Sequence, residues 1–218
     1  MRDVYHDELD DIGKRVIEMT NLSAVAMDRA TQALLDGNLA LADQVATDDK
    51  RIDALSVELE DRAFTLIAQQ QPVATDLRVL ISTVHLASDL ERMGGLANHV
   101  AKIARLRYPE IAVPPEAQDV ISQMGVVAGS LVGKVTDVVD GRDVALAQAI
   151  EAEDDSMDAL RRKLFTLVLS PNWTRGTESA IDMTLLGRYY ERYADHAVAV
   201  ARQTIFIVTG EHPNRPRV

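Results

Sequence analysis

Apolar residues recur every three or four positions along most of this chain, which is the spacing that places them on one face of an α-helix. In the first segment Leu9, Ile12, Val16 and Met19 follow this spacing, and the pattern continues to Leu34. We find no stretch with the alternation of apolar and polar residues that indicates a half-buried β-strand. The pattern therefore predicts an all-α protein.

Glycine, asparagine and proline residues divide this pattern into six long helices. Asp36-Gly37-Asn38 ends the first helix, because Gly and Asn tolerate the left-handed conformation found after a helix C-terminus. Pro72 ends the second by disfavouring helical geometry in the residue before it, and Thr75 is expected to cap the third. The predicted helices cover about residues 4–35, 39–70, 75–108, 116–139, 143–169 and 178–208.

The chain contains an internal repeat. Residues 39–55 read LALADQVATDDKRIDAL and residues 144–160 read VALAQAIEAEDDSMDAL, and the segment around Glu91-Arg92 is echoed around Glu191-Arg192. Such a repeat indicates two copies of one helical unit, and short connections make neighbouring helices antiparallel. We therefore predict two tandem three-helix bundles, at residues 1–108 and 116–210, with a proline-rich linker at 109–115 and a flexible tail at 211–218.

Composition narrows the class of protein. A hydrophobic fraction of 47% with 4% aromatic residues suits a helical core better than a β-sandwich or barrel. The net charge of −11 repels nucleic-acid phosphates and anionic lipid headgroups, so we expect no nucleic-acid binding and no membrane insertion. The chain has no cysteine, which excludes disulfides, Cys-ligated zinc and Cys nucleophiles. With no apolar run that suggests a signal peptide or a membrane span, the expectation is a cytoplasmic protein.

Pairs of acidic residues four positions apart stand out against this background, because side chains at that spacing share one helix face. If the second and third helices of a half pack antiparallel, their pairs converge on one spot. Oxygen ligands of this kind suit magnesium, manganese or iron, with zinc also possible. The candidate metal ligands are Asp49 and Asp53 with Glu91 in the first half, and Asp154, Asp158, Glu191 and Asp195 in the second.

The two halves differ at one position of this pattern. Where the second half has Glu191 followed four residues later by Asp195, the first has Glu91 followed by Gly95. Asn98 lies on the same helix stripe as Glu91, His99 lies about a quarter turn away from it, and either could substitute. The simpler interpretation is that the first site is weaker or empty, so we expect metal to prefer the second half.

Other interpretations of these residues remain open. Acidic residues at this spacing are also common on solvated helix faces, and His196 next to Asp195 could be either a ligand or a surface histidine. Arg92 and Arg192 could anchor the neighbouring glutamates or form surface ion pairs worth less than about 1 kcal/mol. The chain lacks the Glu-x-x-His motif of di-iron bundles, a phosphate-binding glycine loop and a His-Glu-x-x-His motif. No catalytic residue is predicted.

Three separated segments resemble the PhoU family of accessory regulators of phosphate uptake. They are Gln71-Pro-Val-Ala-Thr-Asp-Leu-Arg78, Ser88-Asp-Leu-Glu-Arg-Met-Gly94 and Arg188-Tyr-Tyr-Glu-Arg-Tyr-Ala-Asp-His-Ala197, and they occur in the family's order. The resemblance implies two three-helix bundles and multinuclear iron or zinc bound through acid-x-x-x-Asp motifs. Gly95 departs from that motif.

The resemblance also implies partners. Members of this family have no established enzyme activity and repress the phosphate-starvation response by linking the phosphate-specific ABC transporter to a membrane sensor histidine kinase. We accordingly expect a non-enzymatic negative regulator, a homodimer, and attachment to the inner face of the membrane only through protein partners. The alternatives are a carboxylate-bridged metalloenzyme, such as an oxidase or phosphoester hydrolase, and a helical adaptor without metal.

Overall fold

The computed structural model describes residues 2–141 and 143–211; the side chains of residues 2–4 and 151–153 are not among those described. Across this part of the chain the protein is all-α, as the apolar spacing predicts, and 89% of it is helical. The described residues form six helices: α1 (Arg2–Asp36), α2 (Leu39–Gln70), α3 (Ala74–Arg107), α4 (Pro115–Gly141), α5 (Val144–Val168) and α6 (Gly176–Thr209).

The helix ends have local causes that the sequence displays. Gly37 follows α1 with φ +64°, and Gly210 follows α6 with φ +73°, where a residue with a Cβ would be strained. Asn38 caps α2 by accepting the Leu41 N–H at 3.2 Å. Asp143 caps α5 at the equivalent point of the second repeat, with its carboxylate accepting two backbone N–H groups. The two repeats therefore begin their second helices in the same way.

The cap predicted at Thr75 is wrong. Helix α3 begins one residue earlier, and the residue before it, Val73, provides no side-chain cap. Thr75 lies inside the first turn, where its hydroxyl accepts a hydrogen bond from Arg78 at 3.2 Å instead. Helix α4 begins at Pro115. Proline suits the first position of a helix because the N–H that it lacks would have no partner within the helix there.

Each half is a bundle in which all three helices contact one another. In the first half α1, α2 and α3 pack together, and in the second half α4, α5 and α6 do the same. The halves are joined through α1 against α4 and α3 against α6. The loop between α3 and α4 coincides with the proline-rich segment. The division into two domains at residues 109–115 stays a prediction, because the buried side chains of both halves form one continuous core.

Two tyrosines of α6 join the halves inside this core. Tyr190 and Tyr193 are both fully buried. The Tyr190 hydroxyl lies 2.7 Å from the Thr31 hydroxyl, and the Tyr193 hydroxyl donates to the Ser23 carbonyl at 2.9 Å. Burial raises the pKa of both phenols, so they stay neutral donors.

The predicted tail at residues 211–218 lies outside the described residues except for Glu211. Among the six described helices, none has an apolar stretch of the length that crossing a bilayer requires.

Candidate functional site: two carboxylate clusters

The first cluster consists of Asp49 and Asp53 on α2 with Glu91 and Asn98 on α3. Asn98 belongs to it as the helix stripe predicts, because its amide Nδ2 donates to Asp49 Oδ2. Gly94 allows the two helices to approach: a Cβ at that position would lie 2.9 Å from Ile52 Cδ1 and 3.4 Å from Asp49 Oδ1. The absence of a side chain at Gly94 therefore leaves room for the Asp49 carboxylate.

No Arg, Lys or His among the described residues forms an ion pair with the carboxylates of the first cluster. Burial raises the pKa of Asp53, and the neighbouring carboxylates of Asp49 and Glu91 raise it further. Asp49 Oδ1 and Asn98 Oδ1 are both buried from solvent and accept no hydrogen bond from the residues described. An oxygen-rich, negatively charged position with unused acceptors is thus present between α2 and α3.

The second cluster consists of Asp154 and Asp158 on α5 with Glu191 and Asp195 on α6. Burial raises the pKa of Asp154, and the carboxylates of Asp195, Asp158 and Asp155 act in the same direction, while Arg202 opposes them. Asp154 therefore lies close enough to Asp158 and Asp195 for their charges to repel one another in this half too.

Arginines enter the second cluster, which sequence reasoning missed. Arg161 Nε lies 3.5 Å from Glu191 Oε1 and 3.9 Å from Asp158 Oδ1. Arg188 donates to Glu191 Oε2, and Arg162 lies 3.8 Å from Asp158. These described pairs do not involve Arg192, the residue expected to anchor Glu191. The spacing of Arg161 and Arg162, three and four residues after Asp158, was the available signal.

The fit of a metal ion differs between the clusters. Among the described residues, no three His, Asp or Glu side chains are arranged to hold one ion. In the first cluster Asp49, Asp53 and Glu91 are of the right chemical type, and Asp49 Oδ1 is an unused acceptor. A cation there would neutralise their repulsion and connect α2 to α3. In the second cluster guanidinium groups already lie against Asp158 and Glu191, so these two residues do not fit a metal ion.

The two histidines near the clusters have other contacts. His196 Nδ1 lies 3.0 Å from Asp89 Oδ1, which joins α6 to α3. The His99 ring packs against Tyr189 with 5.1 Å between ring centroids. Burial lowers the pKa of His99, with Lys102 acting in the same direction and Asp49 opposing. Neither contact supports a role as a metal ligand.

A cavity of about 410 Å³ lies beside the loop between α3 and α4. Two arginines line it, but both are paired: Arg107 binds Asp182 at 2.6 and 3.1 Å, and Arg175 binds Glu116 at 2.7 and 2.9 Å. These carboxylates occupy the donors that an anionic ligand would need, so we regard the cavity as a structural junction between the halves.

The fold and the paired carboxylates define a two-repeat, all-helical protein with an acidic position between the second and third helices of each repeat. Comparison with known proteins agrees with this class: the PhoU domain matches residues 16–104 and again residues 121–204. The chain therefore belongs to the PhoU family.

Individual relatives match over nearly their whole length. The phosphate-specific transport system accessory protein PhoU homolog 2 of Mycobacterium tuberculosis is 48% identical over 98% of this chain and 100% of its own. The PhoU homolog 1 of Mycobacterium leprae is 46% identical over 98% of this chain and 96% of its own. The crystal structure of PhoU from Pseudomonas aeruginosa superposes with a TM-score of 0.87 at 27% identity, covering 95% of this chain and 100% of that one.

Proposed function

We propose that this protein is a non-enzymatic regulator of phosphate uptake that represses the phosphate-starvation response. The observation that carries the proposal is the match of both repeats to the PhoU domain. Relatives that match along the whole chain are named as accessory proteins of a phosphate-specific transport system. The step from that name to repression rests on the family resemblance, and it is the part that experiment must test.

The proposed mechanism is contact rather than catalysis. A rigid helical body with a net charge of −11 presents acidic surfaces that favour basic partner surfaces. Binding that prefers one conformation of a partner shifts the partner's equilibrium toward that conformation. A preference of about 3 kcal/mol changes the ratio of the two states roughly a hundredfold. The partners we propose are the phosphate ABC transporter and a membrane sensor histidine kinase.

We propose that carboxylate-bound metal supports this contact. Metal held by Asp49, Asp53 and Glu91 would replace charge repulsion between α2 and α3 with a bridge. The identity of the metal, among iron, zinc, manganese and magnesium, follows from elemental analysis of tag-free protein. We also propose a homodimer in the cytoplasm, held at the inner face of the membrane by its partners. Light scattering at micromolar concentration tests the dimer, and a monomer alone would contradict it.

Deletion of the gene tests the regulatory proposal. Uptake-gene transcripts should rise in high phosphate when the protein is absent, and the wild-type gene should restore repression. A strain complemented with the D49N/D53N variant shows whether the first cluster matters for regulation. Transcripts that stay low in the deletion strain, with no related protein left to compensate, would contradict the assignment.

A further inference from the structure

Arg161 is held inside the second cluster by more than its ion pairs. Its guanidinium lies over the Phe165 ring, 5.2 Å from the ring centroid. Its stem packs on α6 at Gly187, where a Cβ would lie in ordinary van der Waals contact with Arg161 Cγ, at 3.7 Å. The Nε atom is buried from solvent and makes no hydrogen bond with the described residues, and the side chain as a whole is 27% exposed. The carboxylate of Glu191, 3.5 Å away, is therefore the charge that balances this buried guanidinium nitrogen.

Arg161 faces two carboxylates of the second cluster, Glu191 and Asp158. Glu191, whose side chain is 14% exposed, lies between Arg161 on α5 and Arg188 one turn earlier on α6. Asp158 faces Arg161 and Arg162. The remaining members, Asp154 and Asp195, lie near each other and Arg202. Two carboxylates alone are fewer ligands than a hard divalent cation takes from a protein cage.

The first repeat lacks these arginines at the matching positions. Ser56 follows Asp53 at the distance at which Arg161 follows Asp158, and Glu60 stands where the second repeat has Phe165. Among the described residues, Asp49, Asp53 and Glu91 have no close ion pair with Arg, Lys or His. The negative charge of the equivalent carboxylates is therefore neutralised by a guanidinium in the second half, and no described cation pairs with it in the first.

We propose that Arg161 is the resident cation of the second cluster and excludes metal from Asp158 and Glu191. This inference rests on the metal binding that is part of the proposed function. It reverses the preference expected from the motifs, in which Gly95 weakens the first site. A divalent ion at Glu191 would have to displace a positive group that is already paired there and packed on Phe165.

Removal of the Arg161 charge tests the proposal. Arg161→Met keeps the apolar stem against Phe165 while removing the guanidinium. Tag-free wild type and variant are dialysed against Mn²⁺ or Zn²⁺, and the bound metal is measured by elemental analysis beside melting curves that verify folding. We expect R161M to bind about one further equivalent per chain, and R161M/E191Q to lose it. The matched control is Lys163→Met on the same helix, a 55% exposed side chain that pairs with Asp119 outside the cluster, and its removal should leave the count at the wild-type value.

The possible results separate this inference from the regulatory proposal. Equal metal content in folded R161M and wild type would overturn it, whether or not wild type binds metal. Loss of wild-type metal on changing Asp158 and Glu191 to their amides, as large as the loss in D49N/D53N, would also overturn it. The regulatory role stands or fails on the transcript measurement in the deletion strain, which is independent of these counts.

Discussion

The first and second carboxylate clusters lie on equivalent helices of the two repeats, but their charges are balanced differently. In the first, burial and then the charges of Asp49 and Glu91 raise the pKa of Asp53, and no described cation pairs with these carboxylates. In the second, Arg161 and Arg188 both contact Glu191. The difference teaches that a repeat can preserve a carboxylate framework while the residues around it decide whether the framework needs an external cation.

The helix contact beneath each cluster differs as well. Gly94 lies against Ile52 and Asp49 in the first half, whereas the second half has the buried Ala194 at the corresponding position of its motif. Close approach of α2 and α3 thus depends on a missing Cβ, and close approach of α5 and α6 does not depend on one there.

The largest effect should come from filling that space. Gly94→Ala places a Cβ 2.9 Å from Ile52 Cδ1, where the neighbour must move. Overpacking of this kind costs about 1–3 kcal/mol, and the roughly 1 kcal/mol gained by replacing a helical glycine with alanine offsets part of it. The net loss of up to about 2 kcal/mol lowers the melting temperature by up to roughly 4–8 °C in a chain of this size. The matched control is Gly95→Ala, whose Cβ would meet nothing within 4 Å and should leave stability unchanged or raised. Equal melting temperatures for the two variants would contradict the inference that the close approach of α2 and α3 depends on the missing Cβ at Gly94.

The next effect concerns the two buried tyrosines of α6 that join the halves. The equivalent helix of the first half, α3, has no tyrosine at the matching positions. The second repeat places Tyr190 and Tyr193 where the first has Leu90 and Met93. Tyr193→Phe removes the hydrogen bond to the Ser23 carbonyl inside the core, so we expect a loss of about 1 kcal/mol in the free energy of unfolding. Urea unfolding measures it, and Tyr189→Phe is the control at a less buried position. A loss as large in the control would contradict a specific role for Tyr193.

The fold was predictable because helix spacing, terminal glycines and the proline-rich loop are local signals. Helix α2 begins and ends where the sequence predicts, at Leu39 and Gln70. The start of α3 was missed because Val73 precedes it without a side-chain cap, and a nearby threonine looked more suitable. Tertiary packing, which the local pattern does not encode, supports that helix start.

The carboxylates of each cluster were predictable from the sequence, but the arginines that neutralise those of the second cluster were not. A four-residue spacing identifies which carboxylates share a face, and the helix stripe put Asn98 on the side of Glu91, where the structure shows it donating to Asp49. Whether Arg161 turns toward Glu191 depends on how α5 packs against α6. The direction of a long side chain is a tertiary property, so motif counting alone favoured the second half as the metal site.

A smaller effect, of opposite sign in the two halves, sharpens the electrostatic comparison. In chelator-treated protein, Glu191→Gln should lower the free energy of unfolding by about 0.5–1 kcal/mol, because Arg161 and Arg188 lose their shared partner. Glu91→Gln should raise it by a few tenths of a kcal/mol, because it relieves repulsion on Asp53. Urea denaturation of both variants in one buffer checks the signs. Equal signs would mean that the two clusters are electrostatically alike.

The smallest effect is the pH dependence of the first cluster. The folded pKa of Asp53 lies above its ordinary value of 3.8, so the folded state holds this proton more tightly than the unfolded state does. The free energy of unfolding therefore falls as pH rises from 3.8 through the folded pKa, and the full penalty is present at neutral pH.

Asp53→Asn removes that penalty from metal-free protein. The variant should melt about 1 °C above wild type at neutral pH, since like-charge pairs of this spacing cost a few tenths of a kcal/mol. The difference should vanish as pH falls below the unfolded value, because wild-type Asp53 is then protonated in both states. Asp158→Asn is the matched control, and it should not stabilise, because Asp158 lies beside Arg161 and Arg162. A similar gain in both variants would show that the arginines leave the second cluster as unbalanced as the first.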